Sequence, residues 1–462
     1  MNVLHTEKDI EHINKELDDI MYNATKKLKT TLEPTIDDFN KVSDVVKTFI
    51  KDNKRIIYGG YAINTYIKLK NPKDCFYGDT DTPDIEFYSP TPIEDLQKLC
   101  DILHKKGFKY VSGREAQHDE TYTVSVNFEN ICDISYMPRN IFFNIPIKVI
   151  DGLKLVHPSF IHTDALRMYN DPMTSYWRIE KQFKRMNTLQ KYYEIVETSN
   201  CKNIKIDKYY DNKIKDQLKF VRKNIIADNK SLIMFGYYAY YYFISKSSEK
   251  EKVKLNIPFY EAISIKLEED AINIYTKLKE TYGNKITVEE YSPFFQFTGR
   301  SVVYLYDKKP ILVVYSNNGK CIPYFYLDKK RINMSTFSFT VMMILIGSIR
   351  CYVNKETDKN KVYDCMIQNL LTERQLYFKR HDKTAIDKTP FKDFQLECIG
   401  ETVEPSRKFR LKIMKKKKQG KRLTFTYDPA IQKPEKDTTG YIFSNTSGNL
   451  IINDKKKIIE IK

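Results

Sequence analysis

The sequence predicts an α+β fold in which one mixed-sheet module occurs twice, behind a helical N-terminal segment. Three observations lead to this prediction. The first fifty residues place apolar side chains at the three- and four-residue spacing of amphipathic helices. The next segment alternates short strands with helices, and a later segment repeats that pattern at a constant offset.

The length of the chain, 462 residues, exceeds that of one ordinary domain. We predict four regions, which are helices at 1–50, the first module at 51–195, its second copy at 196–355 and a basic region at 356–462. Apolar residues make up 41% of the chain and aromatic residues 13%, which is enough to build a core in each module.

The composition is strongly basic, with a formal net charge of +17. Such a surplus favours a polyanionic partner, either nucleic acid or an anionic membrane. The abundance of Lys, Asn, Ile and Tyr is also typical of AT-rich genomes, which would account for part of the basicity. The longest apolar run, Phe337 to Ile349, has 13 residues and is too short to span a bilayer.

The eight cysteines contain no C-x-x-C pair, so the sequence indicates neither a zinc site nor a disulfide framework. The charged N-terminal segment lacks the apolar core of a signal peptide. We therefore expect a soluble, intracellular protein in a reducing compartment.

The first module begins with a short strand, "RIIY", that ends at Gly59 and Gly60 and is followed by the helical stretch "YAINTYIKLK". The alternating stretch "DIEFYS" predicts a strand with Asp84 and Glu86 on one face. "PIEDLQKLCDILHKKG" predicts an amphipathic helix that ends at Gly107.

Two further strands, "ETYTVSVNF" and "NICDISYM", are expected to be joined by a turn at residues 129–130. The second of them carries Asp133. From residue 173 to residue 193 the pattern predicts one long helix, with Arg178, Lys181 and Arg185 on one face.

The internal repeat has two anchors at one offset. "RIIYGGYAINTYI" matches "LIMFGYYAYYYFI", so that Gly59 corresponds to Gly236 at an offset of 236 − 59 = 177 residues, and "IPIKVID" matches "IPYFYLD" at the same offset. The stretch from Asp84 to Glu86 then corresponds to either residues 261–263 or residues 262–264, and strand parity favours the second. Asp133 corresponds to a stretch without a carboxylate, so we expect the second copy to have lost its acidic residues.

The glycines and carboxylates of the first module are residue types that together suit the binding of phosphate and divalent cations. A strand that turns into a helix at glycines presents backbone N–H groups that bind phosphate. Paired carboxylates suit Mg²⁺ or Mn²⁺, and Asp133 on a neighbouring strand could complete a two-metal site with Asp84 and Glu86. The alternative is a solvated strand face. Asp79 and Asp81 are rival carboxylates, which we interpret as turn-forming residues.

The "YGG" turn, the "DIEF" strand and the later Asp133 resemble the DNA polymerase beta-type nucleotidyltransferase superfamily. The wider pattern, including "DTPDIEFYSP", "ICDISYMP" and "ALRMYNDP…YWRIEKQFKR", resembles the poly(A) polymerase catalytic subunits of giant viruses and poxviruses. The resemblance implies a catalytic nucleotidyltransferase domain at 51–195 and a degenerate nucleotidyltransferase-like domain at 196–355.

The resemblance also implies roles and partners. Asp84, Glu86 and Asp133 would be catalytic residues and metal ligands, and Gly59 and Gly60 would line the triphosphate pocket. Arg178 and Lys181 would contact the triphosphate of ATP or the RNA, and the alternative for them is a solvated helix face. An RNA 3′-hydroxyl would attack ATP and release pyrophosphate. A homodimer or a processivity subunit, no membrane, and location in the virion and the host cytoplasm (viral factory) are further expectations.

Two alternatives remain open for the function. One is another RNA nucleotidyltransferase, of the uridylyl- or CCA-adding type, and the other is a non-catalytic RNA-binding or virion structural protein. Two segments also have two interpretations each. The basic run from Arg407 to Arg422 is either an RNA contact or a solubilising tail, and "FGYYAYYYFI" either stacks on RNA bases or packs in a core.

Overall fold

The computed structural model describes residues 4–31, 36–78, 81, 83–171, 173–197, 201–227, 229–247, 255–403, 405–420, 424–435 and 458–459. The chain divides into two compact units. The first comprises Met1–Tyr136, Val149–Leu155 and Thr424–Tyr441, and the second comprises Met137–Lys148, Val156–Leu423 and Ile442–Lys462. The four-region division made from the sequence stays a prediction.

The described α-helices are α1 (Glu7–Thr31), α2 (Ile36–Asp52), α3 (Gly59–Lys68), α4 (Pro92–Lys105), α5 (Arg139–Phe142), α6 (Pro158–Tyr169), α7 (Ile179–Gln190), α8 (Lys215–Phe220), α9 (Gly236–Ser247), α10 (Leu267–Tyr282), α11 (Phe337–Val353), α12 (Thr357–His381) and α13 (Pro405–Lys418).

The described strands are β1 (Ile56–Tyr58), β2 (Ile85–Ser89), β3 (Ser112–Glu115), β4 (Thr121–Val126), β5 (Glu129–Tyr136), β6 (Ile147–Ile150), β7 (Leu153–Val156), β8 (Leu232–Phe235), β9 (Tyr260–Ser264), β10 (Ile286–Tyr291), β11 (Ser301–Tyr306), β12 (Lys309–Ser316), β13 (Cys321–Leu327), β14 (Ile332–Ser335), β15 (Cys398–Gly400) and β16 (Thr426–Tyr427).

Two eight-stranded mixed sheets share one topology. The first has the order β16-β3-β4-β5-β2-β1-β7-β6, and the second has the order β10-β11-β12-β9-β8-β14-β13-β15. Seven strands correspond in order. The run β3-β4-β5-β2-β1-β7-β6 of the first sheet matches the run β10-β11-β12-β9-β8-β14-β13 of the second. The central pairs also agree in direction, since β1–β2 and β8–β9 are antiparallel while β2–β5 and β9–β12 are parallel. The prediction of an α+β fold with a duplicated module is confirmed.

A buried serine–aspartate pair recurs in both copies, between the end of a strand and the helix that follows. Ser89 donates from Oγ to Asp95 at 2.5 Å, and Ser264 donates to Asp270 at 2.5 Å. The aspartates lie 270 − 95 = 175 residues apart. In the first copy the Arg55 guanidinium adds an ion pair to Asp95, at 2.5 Å. A buried carboxylate is stable here because each oxygen has a hydrogen-bond donor.

The N-terminal region forms helices α1 and α2, as predicted. Helix α2 buries one stripe at helical spacing, which includes Val42, Val46 and Phe49. Helix α1 instead exposes its apolar residues, for example Ile20 and Met21.

The aromatic helix α9 is part of the core of the second unit. Tyr237, Tyr238, Tyr240 and Phe243 are each at most 4% exposed, which favours core packing over stacking on RNA bases. The longest apolar run, which lies in helix α11, is also buried except for the partly exposed Ser338. None of the described helices combines the length and the apolar character needed to cross a bilayer.

Two local expectations were wrong, and one strand was not predicted. The turn between β4 and β5 lies at Asn127 and Phe128, which both have positive φ, and not at residues 129–130. The long helix expected over 173–193 is shorter, because a 3₁₀ turn (Tyr176–Arg178) precedes α7. Strand β3 was not predicted, since its "SGRE" sequence lacks apolar alternation.

The expectation of no disulfides was also wrong. In the second unit Cys201 is bonded to Cys365 and Cys321 to Cys398. The partners are 164 and 77 residues apart, so no local spacing in the sequence could have indicated them. The other four cysteines, Cys75, Cys100, Cys132 and Cys351, are free thiols.

Candidate active site

The glycine turn brings the backbone directly against a carboxylate. Strand β1 ends at Tyr58 and α3 begins at Gly59, whose φ of +67° favours glycine. A Cβ at Gly59 would collide with the carboxylate of Glu86. The backbone N–H of Gly60 donates to Glu86 Oε2 at 2.9 Å. The turn therefore holds an anion at the N-terminus of α3, and in this structure that anion is Glu86.

A row of side chains crosses four adjacent strands at this level. Glu86 pairs with Tyr58 on β1 and with Asp133 on β5, and Asp133 pairs with Thr123 on β4. Directly paired residues of adjacent strands face the same side of a sheet. The structure thus brings Glu86 and Asp133 together, as the sequence predicted. Thr123 Oγ1 donates to Asp133 Oδ1 at 2.6 Å and fixes that carboxylate.

Asp84 lies two residues before Glu86, just ahead of β2, and is exposed. Its charge reaches the same region. The pKa of the Cys132 thiol is raised well above its usual value, first by burial and then by the charges of Asp133 and Asp84. The buried thiol of Cys132 therefore stays neutral, and the charges of both aspartates act on it.

The residue types fit a divalent cation, but the side chains are not arranged around one. Among the described residues, no three acidic, histidine or cysteine side chains converge as a metal ligand set. The oxygen donors of Asp84, Glu86 and Asp133 are those that Mg²⁺ or Mn²⁺ prefers. Glu86 already accepts the N–H of Gly60 with Oε2, so one of its two carboxylate oxygens is engaged by the backbone.

The structure places the other candidate residues from the sequence analysis in different parts of the chain, and it describes all of them except Asp79. Arg178 ends the 3₁₀ turn and Lys181 is exposed on α7, both in the second unit, and their role stays a prediction. Asp81 accepts a hydrogen bond from Gly78 N at 2.7 Å, which is the behaviour of a turn-forming residue. Asp79 lies outside the described residues.

A line of hydroxyl groups was missed by sequence reasoning. Tyr58 Oη and Ser135 Oγ share a hydrogen bond of 2.7 Å, and Ser135 is 2.9 Å from Thr121 Oγ1. These residues lie on three strands, and only the strand register brings them together. No motif in the sequence signals such a line.

The second copy keeps one of the three carboxylates, contrary to expectation. Glu261 pairs with Phe235 as Glu86 pairs with Tyr58, so Glu261 is the counterpart of Glu86 at an offset of 261 − 86 = 175 residues. A Cβ at Gly236 would collide with Glu261, as at Gly59. The predicted alignments with residues 261–263 or 262–264 were wrong, because the copy is two residues shorter between its first two strands.

The other two carboxylates are absent from the second copy. By the same register Val313 pairs with Glu261 and replaces Asp133, and Phe259 stands two residues before Glu261, where the first copy has Asp84. The prediction that the second copy lost its acidic residues is thus right for two positions and wrong for one.

Protein side chains close the corresponding site of the second copy. Burial raises the pKa of Glu261 to about 7, and the nearby Arg350 opposes that rise. Arg350 donates to Tyr315 Oη at 3.0 Å, and both residues line a cavity of only about 10 Å³ beside Glu261. The guanidinium supplies a fixed positive charge to this buried carboxylate.

Comparison with known proteins gives consistent matches over almost the whole chain. The family model of the poly(A) polymerase catalytic subunit matches residues 44–175. The model of the APMV poly(A) polymerase catalytic subunit, C-terminal part, matches residues 187–461. An inferred poly(A) polymerase catalytic subunit of Acanthamoeba polyphaga mimivirus is 35% identical over 99% of this chain and 85% of its own length. The chain belongs to the family of viral poly(A) polymerase catalytic subunits.

Two further relatives agree with this membership. The crystal structure of the Megavirus polyadenylate synthase matches with a TM-score of 0.91 and 36% identity, over 98% of this chain and 93% of that chain. An inferred poly(A) polymerase catalytic subunit of African swine fever virus (isolate Tick/Malawi/Lil 20-1/1983) is 37% identical over 33% of each chain. The resemblance inferred from the sequence, and with it the nucleotidyltransferase fold, is confirmed.

Proposed function

We propose that the chain is a template-independent polynucleotide adenylyltransferase, which adds AMP from ATP to RNA 3′ ends during mRNA polyadenylation. The observation that carries this proposal is the register that pairs Glu86 with Asp133 beside the Gly59–Gly60 turn. Family membership supports the same reaction. The family implies ATP as substrate and the use of a divalent metal.

The glycine turn and the three acidic residues suggest how this chain would bind ATP and metal. The N–H of Gly60 and the N-terminus of α3 would bind a phosphate of ATP. Asp84, Glu86 and Asp133 would hold the metals. When bound, two divalent cations would lower the pKa of the attacking hydroxyl and neutralise the leaving pyrophosphate.

The reaction that we propose at these residues is nucleotidyl transfer. The RNA 3′-oxygen forms a bond to the α-phosphorus of ATP, the bond between that phosphorus and the β-phosphate oxygen breaks, and pyrophosphate leaves. Asp133, which Thr123 holds in place, would accept the proton of the 3′-hydroxyl. Positioning and charge neutralisation supply most of the rate enhancement in such reactions.

For ATP to bind at the proposed site, the N–H of Gly60 would have to change its hydrogen-bond acceptor from Glu86 to a phosphate. The Glu86 carboxylate now occupies the N–H that a phosphate would use. When Glu86 turns to a cation, this donor becomes free for the phosphate. Cation and nucleotide would therefore bind cooperatively, each stabilising the arrangement that the other needs.

The decisive experiment offers an RNA primer, Mg²⁺ or Mn²⁺, and each of the four nucleotides separately. Long tails with ATP alone support the proposal. Tails with UTP or CTP would support a uridylyl- or CCA-adding enzyme. Absence of extension under every condition would leave the non-catalytic RNA-binding or virion structural protein as the remaining reading.

Helix α13 is the proposed contact for the RNA strand. The described helix carries eight Lys or Arg residues and no acidic residue, and Leu411 and Met414 are more than half exposed. Contacts with phosphates need positive charge without sequence preference. Arg178 and Lys181 are proposed as further contacts for triphosphate or RNA.

A protein partner, either a second copy or a processivity subunit, is also proposed. The relatives are described as catalytic subunits, and α1 exposes apolar residues that a partner would cover. Mass measurement by light scattering would separate a dimer from a monomer. Location in the virion and the host cytoplasm stays a proposal, which fractionation of infected cells and purified virions would test.

A further inference from the structure

The row of side chains that contains Glu86, Asp133 and Thr123 continues one strand further than the acidic residues. Thr123 on β4 pairs with Arg114 on β3, and Arg114 pairs in turn with Thr426 on the edge strand β16. Directly paired residues of adjacent strands face the same side of a sheet. The side chain of Arg114 therefore lies on the same face of the first sheet as the carboxylate of Asp133.

Helix α4 covers the opposite face of β3. A Cβ at Gly113, the residue before Arg114, would collide with the side chain of Leu96 on α4. Because neighbouring residues of a strand face opposite sides of the sheet, Arg114 points away from α4. Arg114 is exposed, so its positive charge is accessible on the face that carries Asp133.

One hydrogen bond orients the guanidinium of Arg114. Its Nη2 donates to Asn130 Oδ1 at 3.1 Å, and Ser125 Oγ donates to the same oxygen at 3.0 Å. Within the described part of the chain, no acidic side chain forms an ion pair with Arg114. A guanidinium has five N–H donors, so the group is held in place while most of its donors stay available to an anion.

Arg114 and the glycine turn lie on opposite sides of Asp133. The strand order β3-β4-β5-β2-β1 puts β3 two strands from β5 on one side and β1 two strands from β5 on the other. Adjacent strands are about 4.8 Å apart, so each of these distances is about 10 Å. Gly60, the proposed contact for ATP phosphate, follows β1. An anion bound at Arg114 therefore belongs to the molecule that reaches Asp133 from the side opposite ATP.

We infer that Arg114 binds a backbone phosphate near the 3′ end of the RNA primer and thereby directs the terminal hydroxyl towards Asp133. The inference rests on the proposed function, because that function makes the RNA strand the second substrate at this face of the sheet. The planar guanidinium matches the oxygens of a phosphate, and Asn130 keeps it in the required orientation. A phosphate contact positions the strand without reading its bases.

Primer extension by Arg114→Gln tests this contact in the reaction. Gln keeps a donor for Asn130 and removes the positive charge. We expect the KM for the primer to rise about tenfold, as the loss of one hydrogen bond to a charged group does. The kcat and the KM for ATP should stay unchanged, since the contact is the same before and during the reaction. An unchanged KM for the primer, or a higher KM for ATP, would overturn the inference.

Lys98→Gln is the matched control for this experiment. Lys98 is an exposed residue of α4, so its replacement removes one positive charge on the other side of the sheet. We expect this variant to keep the KM of the unchanged chain for both substrates. An equal rise in the KM for the primer would mean that net charge, and not a contact at Arg114, sets the affinity for RNA, and would reject the inference.

RNA with one uncharged linkage identifies the phosphate. Short primers that carry a single methylphosphonate at successive positions from the 3′ end are titrated into the full chain, without metal or ATP, and binding is followed by fluorescence anisotropy. At the contacted position the methylphosphonate should weaken binding by the unchanged chain about tenfold and should have no further effect on Arg114→Gln. Equal losses in both proteins at every position would contradict the inference.

The binding measurement also separates this inference from the proposed function. If the full chain extends no primer, the proposed function is rejected, while coupling between Arg114 and one methylphosphonate would still establish the contact. If the chain makes long tails with ATP but no position is coupled to Arg114, the inference alone is rejected. Arg114→Gln should also melt at the temperature of the unchanged chain. A lower melting temperature together with equally weak binding of all primers would make Arg114 a structural residue and count against the inference.

Discussion

Glu86 has two roles that its neighbours do not share. Its carboxylate accepts the N–H of Gly60. Glu86 also pairs with Asp133 on β5 and follows Asp84 by two residues, so it is the central one of the three acidic residues. We therefore expect removal of its side chain to affect both local stability and the proposed binding of metal. The Gln variant separates these effects, because it keeps an acceptor for Gly60 and loses the negative charge.

We expect Asp84→Ala and Glu86→Ala to abolish primer extension and to leave RNA binding largely intact. Glu86→Gln should be equally inactive with near-normal stability, whereas Glu86→Ala should also lose about 1 kcal/mol, the typical effect of removing a helix cap. Extension and thermal unfolding would be measured on the same preparations. Asp81→Ala is the control, and full-length tails from Asp84→Ala or Glu86→Gln would refute the site assignment.

Glu261 should make stability depend on pH. Burial raises its pKa to about 7, above the ordinary value of 4.5, so the folded state favours the neutral carboxyl. Below pH 4.5 both states are protonated and there is no penalty. The penalty grows as the unfolded state ionises and is complete above pH 7.

Glu261→Gln should therefore be more stable than the unchanged chain at pH 8, by roughly 3 kcal/mol at most, and the difference should shrink towards pH 5. Urea unfolding at both pH values measures this. Glu280→Gln, at an exposed position, serves as the control. Equal differences at pH 5 and pH 8 would mean that Glu261 does not titrate in this way.

At the scale of elements, sequence patterns located structure that depends on local spacing. The strand, glycine turn and helix from Ile56 to Lys68 were predicted because the turn follows from two glycines after an apolar run. Strand β3 and the turn at Asn127 were missed, since both depend on pairing with β4. Thr123 could not be assigned to the site, because only the register places it beside Asp133.

Helix α13 allows a prediction about salt. Replacement of Lys415, Lys416, Lys417 and Lys418 by Gln should weaken RNA binding and flatten its dependence on salt concentration, since each lost phosphate contact lowers the slope by about 0.7 for a single strand. Binding would be measured from low to moderate salt. The control replaces four exposed lysines of α1, Lys8, Lys15, Lys26 and Lys27. If the slope is unchanged, the lysines of α13 do not contact RNA and contribute only to the solubility of the chain.

At the scale of the whole molecule, both disulfides lie in the second unit. Together they close loops of 164 and 77 residues. Such cross-links restrict the unfolded chain and typically stabilise by about 2–4 kcal/mol each. The first unit contains no disulfide among its described residues, so it gains nothing from oxidation.

Reduction should therefore destabilise the second unit selectively. We expect a strong thiol reductant to lower the hydrogen-exchange protection of the second unit and to leave that of the first unit unchanged. Hydrogen exchange, with peptides assigned to each unit, would measure this. Cys351→Ser controls for the loss of a thiol. Equal loss of protection in both units would contradict the prediction.

The duplication itself could be predicted from the sequence, but its details could not. One offset of 177 fits the glycines at Gly59 and Gly236, while an offset of 175 fits the acids at Glu86 and Glu261. A difference of two residues between the first two strands leaves no trace in apolar periodicity. Strand pairing reveals it, because each carboxylate has a fixed neighbour across the sheet.

The survival of Glu261 indicates an order in which the second copy decayed. The N–H of Tyr237 still bonds to Glu261, as that of Gly60 bonds to Glu86, so this glutamate served the backbone as well as the chemistry. Phe259 and Val313 stand in the second copy where the first copy has Asp84 and Asp133. In other duplicated members of the family, the glutamate should be the last of the three acids to disappear, which makes it a useful marker of ancestry.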